Sequence, residues 1–135
     1  MKVIQQLIAY FEERGRLSRK QVRELIAKGY WGQTTTVDLR ALEGKIGQSF
    51  FYEVTGYEHG ALWGTDVYTS DSLLATACVH AGLLRPGETG TVKVTMVQPL
   101  PVFSGSTRNR VTSGSWTTGW AGAYRVELIR KSSGD

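Results

Sequence analysis

The sequence predicts an α+β chain: an N-terminal αα-hairpin followed by a β-rich domain built round one helix. Three observations predict it. Residues 2–14 and 18–28 carry apolar side chains at helical spacing on either side of Gly15. Residues 71–82 are apolar nearly all round, as a helix enclosed by other structure must be. Residues 89–99 and 123–131 are rich in β-branched and aromatic side chains, with alternation in the first.

Ile4, Leu7, Ile8 and Phe11 follow the i, i+3, i+4, i+7 pattern of an amphipathic helix, which Gly15 ends. Ser18 and Gln21 form a capping box that opens a second helix. Its apolar face is Val22, Leu25 and Ile26, and Gly29 ends it. Helices this short are not stable alone in water, so they must dock on something. Residues 1–30 are therefore expected to be an attachment segment, with these seven apolar residues as its partner-binding or self-association surface. Residues 31–47 are expected to be a linker with a short helical turn at 38–43, and residues 48–131 the main domain.

In that domain, 48–56 reads as a strand and 61–69 as a second strand or two short pieces. The helix at 71–82 is expected to start on Ser70 or Asp71 and to stop at Gly82. Val92, Val94 and Met96 alternate with Lys93, Thr95 and Val97, the pattern of a half-buried strand, which Pro99 and Pro101 close. A long polar stretch, 103–122, precedes the last strand at 123–131.

Composition narrows the function classes. The 135 residues amount to about one domain. One cysteine, Cys78, forms no internal disulfide, and one Cys with two His excludes the Cys-rich zinc sites. No apolar run approaches the ~20 residues of a membrane span. The N-terminus has no uniform apolar core or small-residue cleavage pattern, so export is not expected and a cytoplasmic home is. The net charge of +4 sits wholly on residues 1–30, leaving the rest neutral. A neutral body disfavours nucleic acid as its main partner.

Four segments carry a family resemblance: LWGTDVYTSDS (62–72), ACVHAG (77–82), TGTVKV (89–94) and FSGSTRNRVTSGSW (103–116). In order and spacing, residues 48–128 resemble the LCCL domain family. The resemblance implies a central helix wrapped by irregular β-sheets and a binding role, polysaccharide among the suggested ligands, with no established reaction. It also implies departures. Secreted animal members carry four cysteines in two disulfides; here the family's helix cysteine falls on Ala75, as in a disulfide-free, microbial, intracellular form, and a bacterial source is expected. The family's Asn-Gly in the 103–116 loop is Asn109-Arg110, which strains the turn if the second residue has positive φ.

The function these features predict is a non-enzymatic binding or adaptor protein that assembles through its N-terminal helices. The 103–120 loop is the candidate ligand surface. Ser106, Thr107, Arg108 and Asn109 offer polar contacts, while Trp116 and Trp120 offer flat faces suited to a carbohydrate. Trp63, Asp66 and His80 are read as structural: Trp63 in the core, Asp66 holding a turn or cap, and His80 bonded to surrounding backbone. No cofactor or metal is expected. One alternative is a hydrolase or transferase using His80 and Asp66; another is a nucleic-acid-binding helix-turn-helix at 2–29, reading bases through Arg19, Lys20, Arg23 and Lys28.

Overall fold

A computed structural model describes residues 37–132. In order along the chain it has a 3-10 turn (Arg40–Leu42), β1 (Ser49–Thr55), β2 (Gly64–Thr65), β3 (Val67–Thr69), α1 (Leu74–His80), β4 (Thr89–Val97), β5 (Thr107–Arg108), β6 (Val111–Thr112) and β7 (Ala123–Lys131). Five strands form one antiparallel sheet in the order β1-β4-β7-β3-β2, and β5 pairs with β6 in a separate hairpin.

The α+β expectation is corrected. The described residues are mostly β, with one seven-residue α-helix. The expected αα-hairpin lies outside the described residues, as do Ile4, Leu7, Ile8, Phe11, Val22, Leu25 and Ile26.

The long strands follow the sequence closely. Val92, Val94 and Met96 of β4 are buried while Lys93, Thr95 and Val97 are half-exposed. β4 is an interior strand, paired along most of its length with both β1 and β7. The register with β7 slips once, passing from Thr91↔Arg130 to Val92↔Leu128. That leaves Ile129 as an extra residue, the signature of a β-bulge.

Every residue of α1 is buried, and the helix touches both β1 and β6. It begins at Leu74, later than residue 71, and no side chain caps it. Ser70 and Asp71 serve elsewhere. Backbone carbonyls do the capping: Leu73 N–H donates to Ala61 O and Leu74 N–H to Val37 O, each at 2.9 Å. Those acceptors are remote in sequence, so no local motif announces them. The other end is local. Gly82 has φ +84°, its N–H donates to Val79 O at 3.0 Å, and Leu83 N–H donates to Cys78 O at 2.9 Å. This is the Schellman arrangement, which needs a left-handed residue and so selects glycine.

The linker expected over 31–47 is revised for its described part. Leu39 and Leu42 belong to the main core cluster. Leu39 N–H donates to Ser70 O at 2.8 Å, and Gly47 N–H to Met96 O at 2.8 Å. Residues 37–47 are thus part of the domain. A second, smaller cluster joins Val67, Phe103 and Ala123 to half-buried Trp116 and Trp120.

Candidate functional site

His80 closes α1 and is fully buried. Its Nδ1 lies 2.9 Å from Tyr68 Oη, and its Nε2 lies 3.1 Å from Ser106 O and 3.2 Å from Ser106 Oγ. The partners fix the tautomer. A carbonyl only accepts, so Nε2 carries the proton, and Nδ1 accepts from the Tyr68 hydroxyl. Burial raises the Tyr68 pKa to about 12, which keeps that donor protonated. With its proton on Nε2, the ring has no free lone pair with which to take one from Ser106. The imidazole has no bond to the Asp66 carboxylate. The Asp66 carboxylate instead pairs with Arg108, Nη1 to Oδ1 at 2.8 Å and Nη2 to Oδ2 at 3.4 Å, out in solvent. Asp66 stands in the β2–β3 turn at φ +66°, and its carboxylate bridges that turn to the β5–β6 hairpin.

That hairpin was hidden within the polar stretch. Arg108 pairs with Val111, and the two residues between have φ +53° (Asn109) and +66° (Arg110). Positive φ at both central positions is the type I′ hairpin geometry. The polar residues expected to meet a ligand largely bond to the fold. Ser106 Oγ also bonds Thr65 Oγ1 at 2.6 Å, Thr107 Oγ1 bonds Thr112 Oγ1 at 2.8 Å, and Asn109 Nδ2 donates to His80 O at 2.9 Å. Beside the hairpin runs a broad groove of about 680 Å³ with Arg85, Arg110 and Lys131 on it. Glu58 and Glu88 oppose those cations, and Lys131 pairs with Glu88 at 3.2 Å.

The tryptophans converge elsewhere. Trp63, Trp116 and Trp120, with Thr69 and Asp71, line a notch of about 110 Å³. Trp63 is half-buried and forms a wall, which corrects its expected place in the core. Trp116 stands 6.0 Å from Trp63 at 69° and 5.7 Å from Trp120 at 88°. Each ring is held. Trp63 sits in a parallel bridge with Gly114, where a Cβ would lie 2.6 Å from the indole; only glycine leaves it room. Trp116 bridges to Phe103, and its Nε1 donates to Gly119 O at 2.6 Å. Trp120 Nε1 donates to Ser70 Oγ at 3.0 Å, and Ser70 Oγ donates in turn to Glu43. Asp71 Oδ1 accepts from Thr69 Oγ1 at 2.6 Å. The sequence places Trp116 and Trp120 in one stretch; that Trp63 and Asp71 lie beside them is not visible there, since only strand pairing across the fold brings 63 and 71 beside 116 and 120.

Among the described residues no group of three or more His, Cys, Asp or Glu is placed to hold a metal ion. No helix among them is long and apolar enough to cross a membrane.

The family model of the LCCL domain matches residues 33–123. The matched span thus begins ahead of the residue-48 start of the sequence resemblance and takes in the buried Leu39 and Leu42. A curated relative, the transcriptional regulatory protein rxt3 of Schizosaccharomyces pombe, is 39% identical over 61 residues. The aligned part is 42% of this chain and 17% of that protein, so the chain spans a small fraction of its relative.

Proposed function

The chain belongs to the LCCL domain family, and from that premise we propose that it is a protein-binding module of a transcriptional regulatory assembly, with the tryptophan notch as its recognition site. The carrying observation is the convergence of Trp63, Trp116 and Trp120 around Asp71 at the surface. Aromatic side chains that are rigid before binding make strong anchoring sites, because little ordering is left to do. The relative's name supplies only the setting of transcriptional regulation.

Ligand contact belongs to Trp116 and Trp120, joined by Trp63 and Asp71. Ser106, Thr107, Arg108 and Asn109 are assigned to holding the hairpin, and His80 to holding the hairpin on the helix. Small-molecule sites run to roughly 300–1,000 Å³. A notch of about 110 Å³ fits one inserted side chain better than a sugar chain. Residues 1–30, with their net +4 and the apolar Ile4, Leu7, Ile8, Phe11, Val22, Leu25 and Ile26, are assigned to attachment within the same assembly.

The test is recovery of the native assembly from the source cell with the full chain as bait, wild type against Trp116→Ala. Loss of defined partners from a variant with unchanged circular dichroism and melting temperature supports the reading. An identical set of partners for both proteins refutes it.

A further inference from the structure

We infer that the notch takes an alkylated ammonium group, the head of a methylated lysine side chain on a protein partner; the inference rests on the binding-module reading above. The ring geometry comes first. Trp116 stands at 69° to Trp63 and 88° to Trp120, so the three indoles form walls at steep angles rather than a stack. Centroid separations of 6.0 and 5.7 Å keep the walls close. The face of an indole is the negative side of its quadrupole, and a cation within ~6 Å of a ring centroid is attracted to it. The polar edges of Trp116 and Trp120 are already committed, to Gly119 O and Ser70 Oγ, so what they have left to offer is carbon surface.

Charge selects the same ligand. Asp71 closes the notch with a carboxylate whose Oδ1 is anchored by Thr69. Its Oδ2 accepts no hydrogen bond from a described residue. An uncharged apolar side chain in the notch would desolvate that oxygen without replacing the lost water, an unfavourable exchange. A cation compensates it. The surroundings reinforce the sign: Asp38, Glu43 and Asp71 all act on Arg40, and Arg40 is itself bonded to Asp38 at 3.0 Å. Only Asp38 of the three touches that guanidinium; Glu43 and Asp71 act on it through space, so carboxylates outnumber cations in this neighbourhood.

Alkylation is selected by the acceptor count. A bare lysine ammonium has three N–H donors, and among the side chains that line the notch those of Thr69 and Asp71 carry oxygen. Methylated nitrogen donates fewer hydrogen bonds or none and sheds its hydration more easily, so it tolerates indole walls. The notch volume of about 110 Å³ admits such a head and little more.

The experiment titrates the full chain with choline chloride and with its neutral isostere 3,3-dimethylbutan-1-ol, reading tryptophan fluorescence at fixed ionic strength. Expected is saturable choline binding, with the isostere weaker by about tenfold. Asp71→Asn should weaken choline several-fold while the neutral isostere binds no worse, because the desolvated oxygen no longer carries a charge. Trp116→Ala should abolish both responses while the melt confirms folding. A trimethyl-lysine peptide should then bind more tightly than its unmodified counterpart. Equal affinity for choline and the isostere overturns the assignment, as does no saturable response from folded protein. If choline fails but Trp116→Ala still strips partners from the native assembly, the cation assignment alone falls. If partner recovery is unchanged too, both readings fall.

Discussion

Tyr68 donates its phenolic proton to Nδ1 of His80 across 2.9 Å, wholly inside the fold. The opposite ring nitrogen, Nε2, turns its proton to Ser106, on the loop leading into β5. One ring thereby ties β3, the end of α1 and the hairpin together. Tyr68→Phe removes the donor and strands Nδ1 in a place without water. The expected loss is about 1–3 kcal/mol, read as a lower urea midpoint at neutral pH. An unchanged midpoint would show that Nδ1 is satisfied some other way.

Alkali should unfold the domain early. Burial raises Tyr68 to about 12 from an ordinary 10.0. Burial also pushes Tyr124 well above its ordinary range and drives the Cys78 thiol up. All three groups are neutral in the folded state and keep their protons longer than in the unfolded chain. The unfolded chain begins to release these protons near the ordinary thiol value of 9.0 and continues at the tyrosine value of 10.0. Their contribution is therefore whole below pH 9 and falls as pH climbs from there through about 12. Urea midpoints at a series of pH values from 7 upward check the sign, and Cys78→Ala should delay the onset of the fall.

Arg110 has φ +66° in the two-residue turn of the hairpin. A side chain in that region costs roughly 1–2 kcal/mol relative to the right-handed form, while glycine adopts it freely but loses more entropy on folding. Arg110→Gly is expected to stabilise by about 0.5–1 kcal/mol net. A rise in melting temperature checks it. A fall would mean that the Arg110 side chain contributes contacts worth more than the strain.

The same arginine explains why the hairpin was not legible. Asn-Gly announces a type I′ turn; Asn-Arg does not, and 103–122 reads as one polar loop. The start of α1 was obscure for another reason: its cap is the carbonyl of Val37, which sequence periodicity assigns to a linker. What could be read was local. Gly82 stops the helix because its neighbours demand positive φ, and the alternation from Val92 to Val97 is the strand's own geometry. Trp116 and Trp120 stood out by type, but Trp63 joined them only through a backbone bridge to Gly114.

Asp66 and Arg108 make a two-pronged pair, but their side chains remain 56% and 44% exposed. Exposed pairs contribute about 0–1 kcal/mol. Arg108→Ala should therefore lower stability by less than about 1 kcal/mol and leave choline binding untouched. A larger loss would show that the pair, rather than Asn109 and His80, holds the hairpin down.

Gly114 decides whether the notch exists. Its N–H donates to Leu62 O at 2.8 Å and its carbonyl accepts from Gly64 N–H at 3.0 Å, so the backbone on both sides of Trp63 is pinned against it. The Trp63 ring then lies over the bare Cα, where an added Cβ would come within 2.6 Å of two ring carbons. Neither strand segment can retreat without breaking these bonds, whereas the half-buried indole can swing outward. Gly114→Ala is thus expected to expel Trp63 from its place beside Trp116. The overpacking costs about 1–3 kcal/mol and the edge-to-face contact between the two rings is lost. Near-ultraviolet circular dichroism should change sharply while the far-ultraviolet spectrum stays the same, and choline affinity should fall with it. Retained choline binding in the folded variant would show that Trp116, Trp120 and Asp71 suffice, and that Trp63 is only a neighbour of the site.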